Sequence, residues 1–252
     1  MLLAVALHSA VAFQFWGIKS GVSEVYRQRR QDWRSSECAK RYERLNIRWK
    51  FFVGVPLDKG KLLDGRSQSA FASDQEVADA NALVNENKEF GDLHVLPMRD
   101  LYMDNSNKLI GIIAYGYWFT NASFIGAHDD EYCLTPEIIT MASTAHHTAP
   151  YVYGGHYLWK GDEYTQMRGR NGMRSPFFNG MALFLSRELV KHAIIENWDD
   201  VVLYLEYGTS ADDANMGKWV TRAMHRRGIR VKMAHGNVVE IVDHGKLLRD
   251  RA

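Results

Sequence analysis

The chain has 252 residues, and its 31 basic and 30 acidic side chains nearly cancel. This length fits one α/β domain with a substantial core, and the balanced charge gives no indication of a nucleic-acid partner. The two cysteines, Cys38 and Cys133, exclude a disulfide-dense scaffold. They form either one bridge or two buried thiols.

The first segment, residues 1–13, is mostly apolar. It is too short and too interrupted for a membrane-spanning helix, which needs about 20 apolar residues. It also lacks the basic region that begins a signal peptide. The segment is therefore either the remnant of an anchor or the approach to the first buried strand, and we favour the second interpretation.

Strands and helices alternate along the rest of the chain. The pattern predicts, in chain order, a strand over 12–20, a helix over 22–35, a strand over 47–55, a helix over 74–88, a strand over 93–96, a helix over 107–120 and a strand over 124–127. It then predicts a helix starting at Thr135-Pro136, a long loop over 160–175, helices over 186–198 and 210–227, and strands over 229–234 and 238–242. This alternation indicates one α/β domain, residues 1–252, with a mainly parallel central sheet flanked by helices.

A cluster of acids follows the strand over 124–127. The sequence there runs His128-Asp129-Asp130-Glu131. Ligands of open α/β sheets bind at the carboxyl edge of the strands, and carboxylates suit a hard divalent cation that can hold a diphosphate. The alternative is an ordinary solvated turn.

Four segments, in this order, resemble motifs of the β-1,3-glycosyltransferases of the galactosyltransferase and N-acetylglucosaminyltransferase type (glycosyltransferase family 31, to which Fringe is related). Residues 29–34 are similar to the family's Arg-Arg-x-x-Ile-Arg, although Glu37 replaces the usual Trp. Residues 86–93 resemble Glu-x-x-x-Tyr-Gly-Asp-Ile, with Asp100, Tyr102 and Lys108 following at the family's spacing.

The third and fourth segments carry the acids. His128-Asp129-Asp130 stands where the family has three aspartates, and Tyr132 takes the aromatic position after them. Shifting the register by one would align 129–131 instead but would misplace Tyr132, so we prefer the first register. Residues 176–186 and 212–217 resemble Tyr-x-x-Gly-x-Gly-Tyr-x-x-Ser and Glu-Asp-Val-x-x-Gly.

The resemblance implies a nucleotide-sugar transferase fold of the GT-A type and an inverting, metal-dependent reaction. A hexose or N-acetylhexosamine would pass from a UDP-sugar to a hydroxyl of a glycan or glycoconjugate acceptor, forming a β-1,3 linkage with the help of Mn²⁺ or Mg²⁺. It also implies a Golgi or ER lumenal location with membrane association through an amino-terminal anchor.

The resemblance also implies roles for particular residues. The residues implied to bind the donor are Arg30, Arg34, Asp100, Lys108 and Asp129. Arg30 and Arg34 lie one helical turn apart and share a face that suits the donor diphosphate, and the alternative is a solvated helix face. For Lys108, which begins an otherwise apolar helix, the alternative is a charged residue that needs only solvent. Asp130 and His244 are implied to bind the metal, with His235 as a competitor for the second place. Glu131 is expected to face away from the site.

The implied catalytic base is Asp213, and Gly180 and Asp212 are implied to contact the acceptor. Asp213 has a second interpretation, because acids in the first turn of a helix interact favourably with its dipole. Two alternatives to the glycosyltransferase stay open at this point. One is a non-catalytic carbohydrate- or nucleotide-binding relative, suggested by His128 and Glu37; the other is a metal-dependent phosphohydrolase.

Overall fold

The computed structural model describes residues 13–56, 73–100, 104–146, 149–159, 175–207, 212–236 and 239–241. The strands are β1 (Gln14–Lys19), β2 (Arg48–Val55), β3 (Leu93–Arg99), β4 (Phe124–Asp129), β5 (Tyr132–Leu134), β6 (Val152–Gly155), β7 (Leu158–Trp159), β8 (Phe177–Phe178), β9 (Ala182–Ser186), β10 (Lys232–His235) and β11 (Val239–Ile241). The helices are α1 (Glu24–Ser35), α2 (Glu37–Arg44), α3 (Asp74–Phe90), α4 (Asn105–Phe119), α5 (Pro136–His146), α6 (Arg187–Ala193), α7 (Trp198–Tyr207) and α8 (Asp212–Arg227), with a 3₁₀ turn at Ile195–Asn197.

Seven strands form the central sheet in the order β10-β6-β9-β4-β1-β2-β3. All neighbouring pairs are parallel except those of β9, which runs antiparallel to both β4 and β6. The predicted fold class, an α/β protein with a mainly parallel sheet flanked by helices, is confirmed. The antiparallel β9 was not predicted, because strand direction depends on tertiary pairing that no local pattern records.

The sheet buries an apolar core on each face. Side chains alternate along β1, so Phe15 joins one core while Trp16 and Ile18 join the other. The Trp16 core is covered by α1, α2 and α5, and the Phe15 core by α4, α6 and α8. Both faces of the sheet are thus closed to solvent, which leaves its edges to bind ligands.

Local signals account for several helix boundaries. Helix α3 begins with a capping box, in which the Ser73 hydroxyl accepts from the Glu76 N–H and the Glu76 carboxylate accepts from the Ser73 N–H. It ends at Gly91, whose φ of 69° is left-handed. Ser36 caps α2, a helix missing from the prediction.

Other predicted elements differ from the structure. The helix predicted over 186–198 is observed as α6 followed by the 3₁₀ turn. Helix α7, which begins at Trp198 with Asp199 and Asp200 in its first turn, was not predicted. The segment 1–12 and nearly all of the predicted loop over 160–175 lie outside the described residues. Among the described helices, none is long and apolar enough to cross a membrane.

Cys38 and Cys133 form a disulfide that joins residues 95 positions apart. It ties α2 to β5, which follows the acidic turn directly. The question that the sequence leaves open is therefore answered in favour of a bridge.

Candidate active site

A cleft of about 250 Å³ lies at the carboxyl edge of the sheet. Strand β1 has β2 on one side and β4 on the other, so the strand order reverses at β1. Open α/β sheets bind ligands at such a switch point. The cleft is lined by polar and charged side chains and one aromatic ring: Lys19, Ser20, Gly21, Tyr26, Arg29, Asp100, Asn105, Lys108, Asp129, Asp130 and Glu131. The structure thus brings four of the predicted site residues together, namely Asp100, Lys108, Asp129 and Asp130.

Lys19 links the two acidic segments. It is the last residue of β1 and pairs in register with Asp129, the last residue of β4. Its ammonium lies 3.0 Å from the Asp129 carboxylate, 2.7 Å from that of Asp212 and 3.2 Å from the Gly180 carbonyl oxygen. Burial lowers the pKa of Lys19, but the carboxylates of Asp129 and Asp212 outweigh it and raise that pKa above its ordinary value. The ammonium is therefore a permanent positive charge in the site.

Asp130 is the most deeply buried acid of the cleft, with 2% of its surface exposed. The Ser20 hydroxyl donates to its Oδ2 at 2.6 Å, and an Arg29 nitrogen lies 3.5 Å from its Oδ1. Burial, together with the charges of Asp129 and Glu131, raises the pKa of Asp130 to about 6 against the effects of Ser20 and Arg29. The carboxylate thus sits where an additional positive charge would be favourable.

Glu131 lines the cleft, so the expectation that it faces away is wrong. Its carboxylate lies 2.6 Å from Arg29, which in turn stacks over the Tyr26 ring at 5.1 Å. Gly21 allows this ring to pack closely, because a Cβ at that position would meet Tyr26 at 2.4 Å. Arg29 therefore bridges the acidic turn and α1 at the mouth of the cleft.

Asp213 lies in the first turn of α8, beside Asp212. Its carboxylate accepts hydrogen bonds from the Gly180 N–H at 3.2 Å and from the Ala214 N–H at 2.7 Å. Burial and the neighbouring charge of Asp212 raise the pKa of Asp213 to about 6. A carboxylate with this pKa is well suited to accept a proton near neutral pH.

The predicted donor contacts Asp100 and Lys108 line the cleft but also bind each other. The Lys108 ammonium donates to Asp100 Oδ1 and to the Ser20 carbonyl oxygen, both at 2.6 Å. Asp100 also accepts from the N–H groups of Val22 and Gly54. The expectation that Lys108 needs only solvent is wrong, since its side chain is 6% exposed and its pairing fixes the loop after β1.

Arg30 and Arg34 point towards carboxylates outside the cleft. Arg30 is fully buried and binds Glu86 through two nitrogens at 2.8 and 2.6 Å. Arg34 binds Asp92 through two nitrogens, both at 2.7 Å, and also contacts Glu86. The two arginines share a helix face as predicted, but neither lines the cleft, and the predicted diphosphate contact is not supported by this placement.

His128 belongs to the aromatic core. It is fully buried beside Trp16 and Trp33, and its Nε2 lies 3.0 Å from the Tyr42 hydroxyl. Burial lowers the pKa of His128 to about 4, so the imidazole is neutral. The consecutive acids along the cleft are therefore Asp129, Asp130 and Glu131, the register that the position of Tyr132 disfavours.

The predicted second metal ligand, His244, lies outside the described residues. Its competitor His235 is the exposed last residue of β10. In the described part of the chain, no three or more histidine, cysteine or acidic side chains are grouped closely enough to hold a metal by themselves.

Sequence reasoning missed Lys19, Tyr26 and Arg29. One signal for Lys19 was present, since a lysine directly after the apolar run 15–18 ends a buried strand at the edge where the acids were expected. Arg29 could not be chosen in the same way, because it stands in a run with Arg27, Arg30 and Arg34 and only the fold separates their directions.

No known protein family and no curated protein matches the chain. Among solved structures, it is similar to the galactosyltransferase LgtC in complex with donor and acceptor sugar analogues, with 11% sequence identity and a TM-score of 0.39. The alignment covers 82% of this chain and 69% of that chain. A likeness at this level leaves the fold family and the activity to be argued from the site itself.

Proposed function

We propose that this protein is an inverting glycosyltransferase with a GT-A type fold. It transfers a hexose or N-acetylhexosamine from a UDP-sugar to a hydroxyl of a glycan or glycoconjugate acceptor. The observation that carries the proposal is the joining of two acidic segments at the switch point of the sheet, where Lys19 bridges Asp129 and Asp212 next to Asp213. The proposed product has a β-1,3 linkage, because four sequence segments resemble, in order, motifs of the β-1,3-glycosyltransferases.

Asp213 is the base in this proposal. Its carboxylate takes the proton of the acceptor hydroxyl while the acceptor oxygen bonds to the anomeric carbon and the bond to the diphosphate breaks. The N–H groups of Gly180 and Ala214 hold the carboxylate in place, and its pKa of about 6 leaves it largely deprotonated at neutral pH. Of these two acids, Asp212 forms an ion pair with Lys19, and among the described residues the partners of Asp213 are neutral N–H groups.

The cationic side chain of Arg29 suits the diphosphate of the donor. Arg29 lies at the cleft with 17% of its side chain exposed and presents a guanidinium group, the fork that matches phosphate oxygens. Its partner Glu131 is more exposed, at 38%, and can move into solvent when a phosphate replaces it.

The cleft acids fit Mn²⁺ or Mg²⁺ when the donor supplies further ligands. Such ions prefer carboxylate oxygens and are commonly held by one or two carboxylates together with substrate phosphates. Asp130 and Asp129 are the residues that would hold the ion. Burial, and after it the charges of Asp129 and Glu131, raise the pKa of Asp130, so a cation beside it would stabilise the charged carboxylate. When bound, the cation neutralises charge on the leaving diphosphate.

The proposed location is the Golgi or ER lumen, with an amino-terminal membrane anchor. The Cys38–Cys133 disulfide supports an oxidising compartment, because disulfides are rare in reducing ones.

The test is a donor screen with the purified protein. Released UDP is measured with UDP-galactose, UDP-N-acetylglucosamine and UDP-N-acetylgalactosamine, each with Mn²⁺ and with chelator, in the presence of mixed glycan acceptors. We expect Mn²⁺-dependent release from one donor, and none with Asp213→Asn. Absence of release and of transfer from all three donors would contradict the proposal.

A non-catalytic binding module is the second candidate, and one observation favours it. Lys19 and Arg29 already pair with the cleft acids, so the site is partly neutralised without a cation. Calorimetric titration with UDP, with and without Mn²⁺, separates the two functions. Metal-dependent binding with turnover supports the enzyme, and binding without turnover supports the module.

A further inference from the structure

The turn between α4 and β4 is a short, well-anchored loop at the end of the sheet away from the cleft. The Thr120 hydroxyl donates to the Gly116 carbonyl oxygen and accepts from the Ala122 N–H. Arg187 donates to the Thr120 carbonyl oxygen, and its N–H donates to that of Ser123. These contacts hold the backbone on both sides of Asn121, whose side chain is exposed.

This loop contains the sequence Asn121-Ala122-Ser123, the single Asn-x-Ser/Thr acceptor motif in the chain. Two large exposed aromatic side chains precede it, Trp118 at 65% and Phe119 at 73% exposure. These two neighbouring rings present apolar surface to solvent beside the motif. The apolar faces of sugar rings can pack against aromatic rings, so a glycan on the neighbouring asparagine would shield them.

We propose that Asn121 carries an N-linked glycan that covers Trp118 and Phe119. The host's transferase would move an oligosaccharide from a lipid-linked diphosphate donor to the Asn121 amide. A bond forms between the amide nitrogen and the anomeric carbon, the bond from that carbon to the diphosphate breaks, and the amide loses one proton. The proposal rests on the lumenal location suggested above and not on the activity.

The glycan would leave the cleft open. Strand β4 separates the two places, because it begins at Phe124 directly after the motif and ends at Asp129 in the cleft. Its six residues span about 17 Å at roughly 3.3 Å per residue. Loss of the glycan should therefore leave turnover unchanged.

The experiment expresses the full chain behind a cleavable secretion signal in a eukaryotic host, so that the compartment is supplied. Peptide-N-glycosidase treatment in heavy-oxygen water, followed by peptide mass spectrometry, reports the occupancy of Asn121. We expect most of the secreted protein to be modified there. The modification should be absent in Asn121→Gln and Ser123→Ala and present in Ser123→Thr and in Asn81→Gln, which alters an exposed asparagine outside any acceptor motif.

Secreted protein with the Cys38–Cys133 disulfide formed and Asn121 unmodified would overturn the proposal, whatever the protein's activity. The covering role has a separate readout in hydrophobic-dye binding. Enzymatic deglycosylation should increase dye binding in the parent protein and not in Trp118→Ser/Phe119→Ser. Equal dye binding before and after deglycosylation would contradict that role.

Discussion

Two groups of paired charges near the carboxyl edge of the sheet have opposite electrostatic character. The closed network consists of Arg30, Arg34, Glu86 and Asp92, and the cleft network of Lys19, Arg29, Asp129, Asp130, Glu131 and Asp212. In the closed network, burial by itself would raise the pKa of Glu86. The hydrogen bonds and charges of Arg30 and Arg34 outweigh burial, so the pKa of Glu86 lies below its ordinary value. In the cleft network, the pKa of Asp130 is raised to about 6.

The difference arises from how each acid meets its cation. Arg30 and Arg34 each bind a carboxylate through two nitrogens, the geometry in which a guanidinium compensates a buried charge best. In the cleft network, burial is the main cause of the raised pKa of Asp130, and one nitrogen of Arg29 lies 3.5 Å from its Oδ1. Lys19 likewise offers a single ammonium, which Asp129 and Asp212 share. A network whose carboxylates are fully compensated by cationic side chains stabilises the fold. A network whose carboxylates are only partly compensated retains the capacity to bind a cation or a proton.

Ser20 connects the two networks. Its hydroxyl accepts from Arg30 at 3.1 Å and donates to Asp130 at 2.6 Å. Arg30 thus orients the hydroxyl that holds Asp130, although it does not line the cleft itself. This makes Arg30 a positioning residue for the cleft acid.

The largest effect is expected at Asp213. Asp213→Asn removes the proton acceptor and keeps one of the two oxygens that accept from the N–H groups of Gly180 and Ala214, so one of these hydrogen bonds is retained and kcat should fall about 10²- to 10⁴-fold. UDP affinity, measured by calorimetry, should stay within a factor of two or so. Asp199→Asn, at an exposed position of α7, is the matched control and should change neither quantity. Loss of UDP binding together with turnover would contradict the role of Asp213 as base.

The closed network should give the largest loss of stability. Arg30→Ala leaves the buried Glu86 carboxylate without its main partner, which typically costs about 3–5 kcal/mol. Urea denaturation followed by circular dichroism measures the change. The double variant Arg30→Met/Glu86→Leu removes both charges and should lose much less than Arg30→Ala. An equal loss in the two variants would show that packing, and not the unpaired charge, dominates.

How far the sequence predicts these networks depends on the range of the interactions. The acids of the turn after β4 and the acids at the start of α8 were predicted, because strand ends and helix first turns leave local patterns. Arg30 and Arg34 were correctly placed on one helix face, but their partners, Glu86 among them, lie more than 50 residues away and only the fold brings them together.

The same limit explains what was missed in the cleft. Lys19 meets Asp129 and Asp212 only because β1 and β4 are neighbours and β9 brings Gly180 to the same edge. The burial of His128 could not be predicted from the sequence either, because the aromatic residues around it come from separate strands and helices. Local periodicity identified strands β1 to β4, β10 and β11 and most of the helices, and pairing between distant segments decided which residues line the site.

The cleft acid should make the protein less stable at neutral pH than at mildly acidic pH. The folded pKa of Asp130, about 6, lies above its ordinary value of 3.8, so the folded state binds this proton more tightly than the unfolded chain does. The resulting stability is present below pH 4 and is lost as the pH rises to 6. Asp130→Asn should therefore gain on the order of 1–3 kcal/mol over the parent at pH 8 and little at pH 4.

The difference in stability between the parent and Asp130→Asn is measured by thermal unfolding across this pH range. Asp199→Asn is the control and should show no pH-dependent gain in stability. The stabilised variant should also lose Mn²⁺-dependent UDP release, because the proposed metal ligand is gone. A variant that loses stability at pH 8 would show that Asp130 is a saturated structural acid like Glu86.

The smallest effect is expected where pairing occurs without burial. Arg27 and Glu24 form an ion pair on α1, in the turns that precede Arg30, with 37% and 71% of their side chains exposed. Exposed pairs of this kind contribute about 0.2–0.5 kcal/mol, and salt screens that contribution. Arg27→Gln, followed by urea denaturation at low and high salt, should thus change the free energy of unfolding by no more than about 0.5 kcal/mol, and less at high salt. A loss of stability comparable to that of Arg30→Ala would contradict the view that burial of the partner carboxylate makes the closed network costly to break.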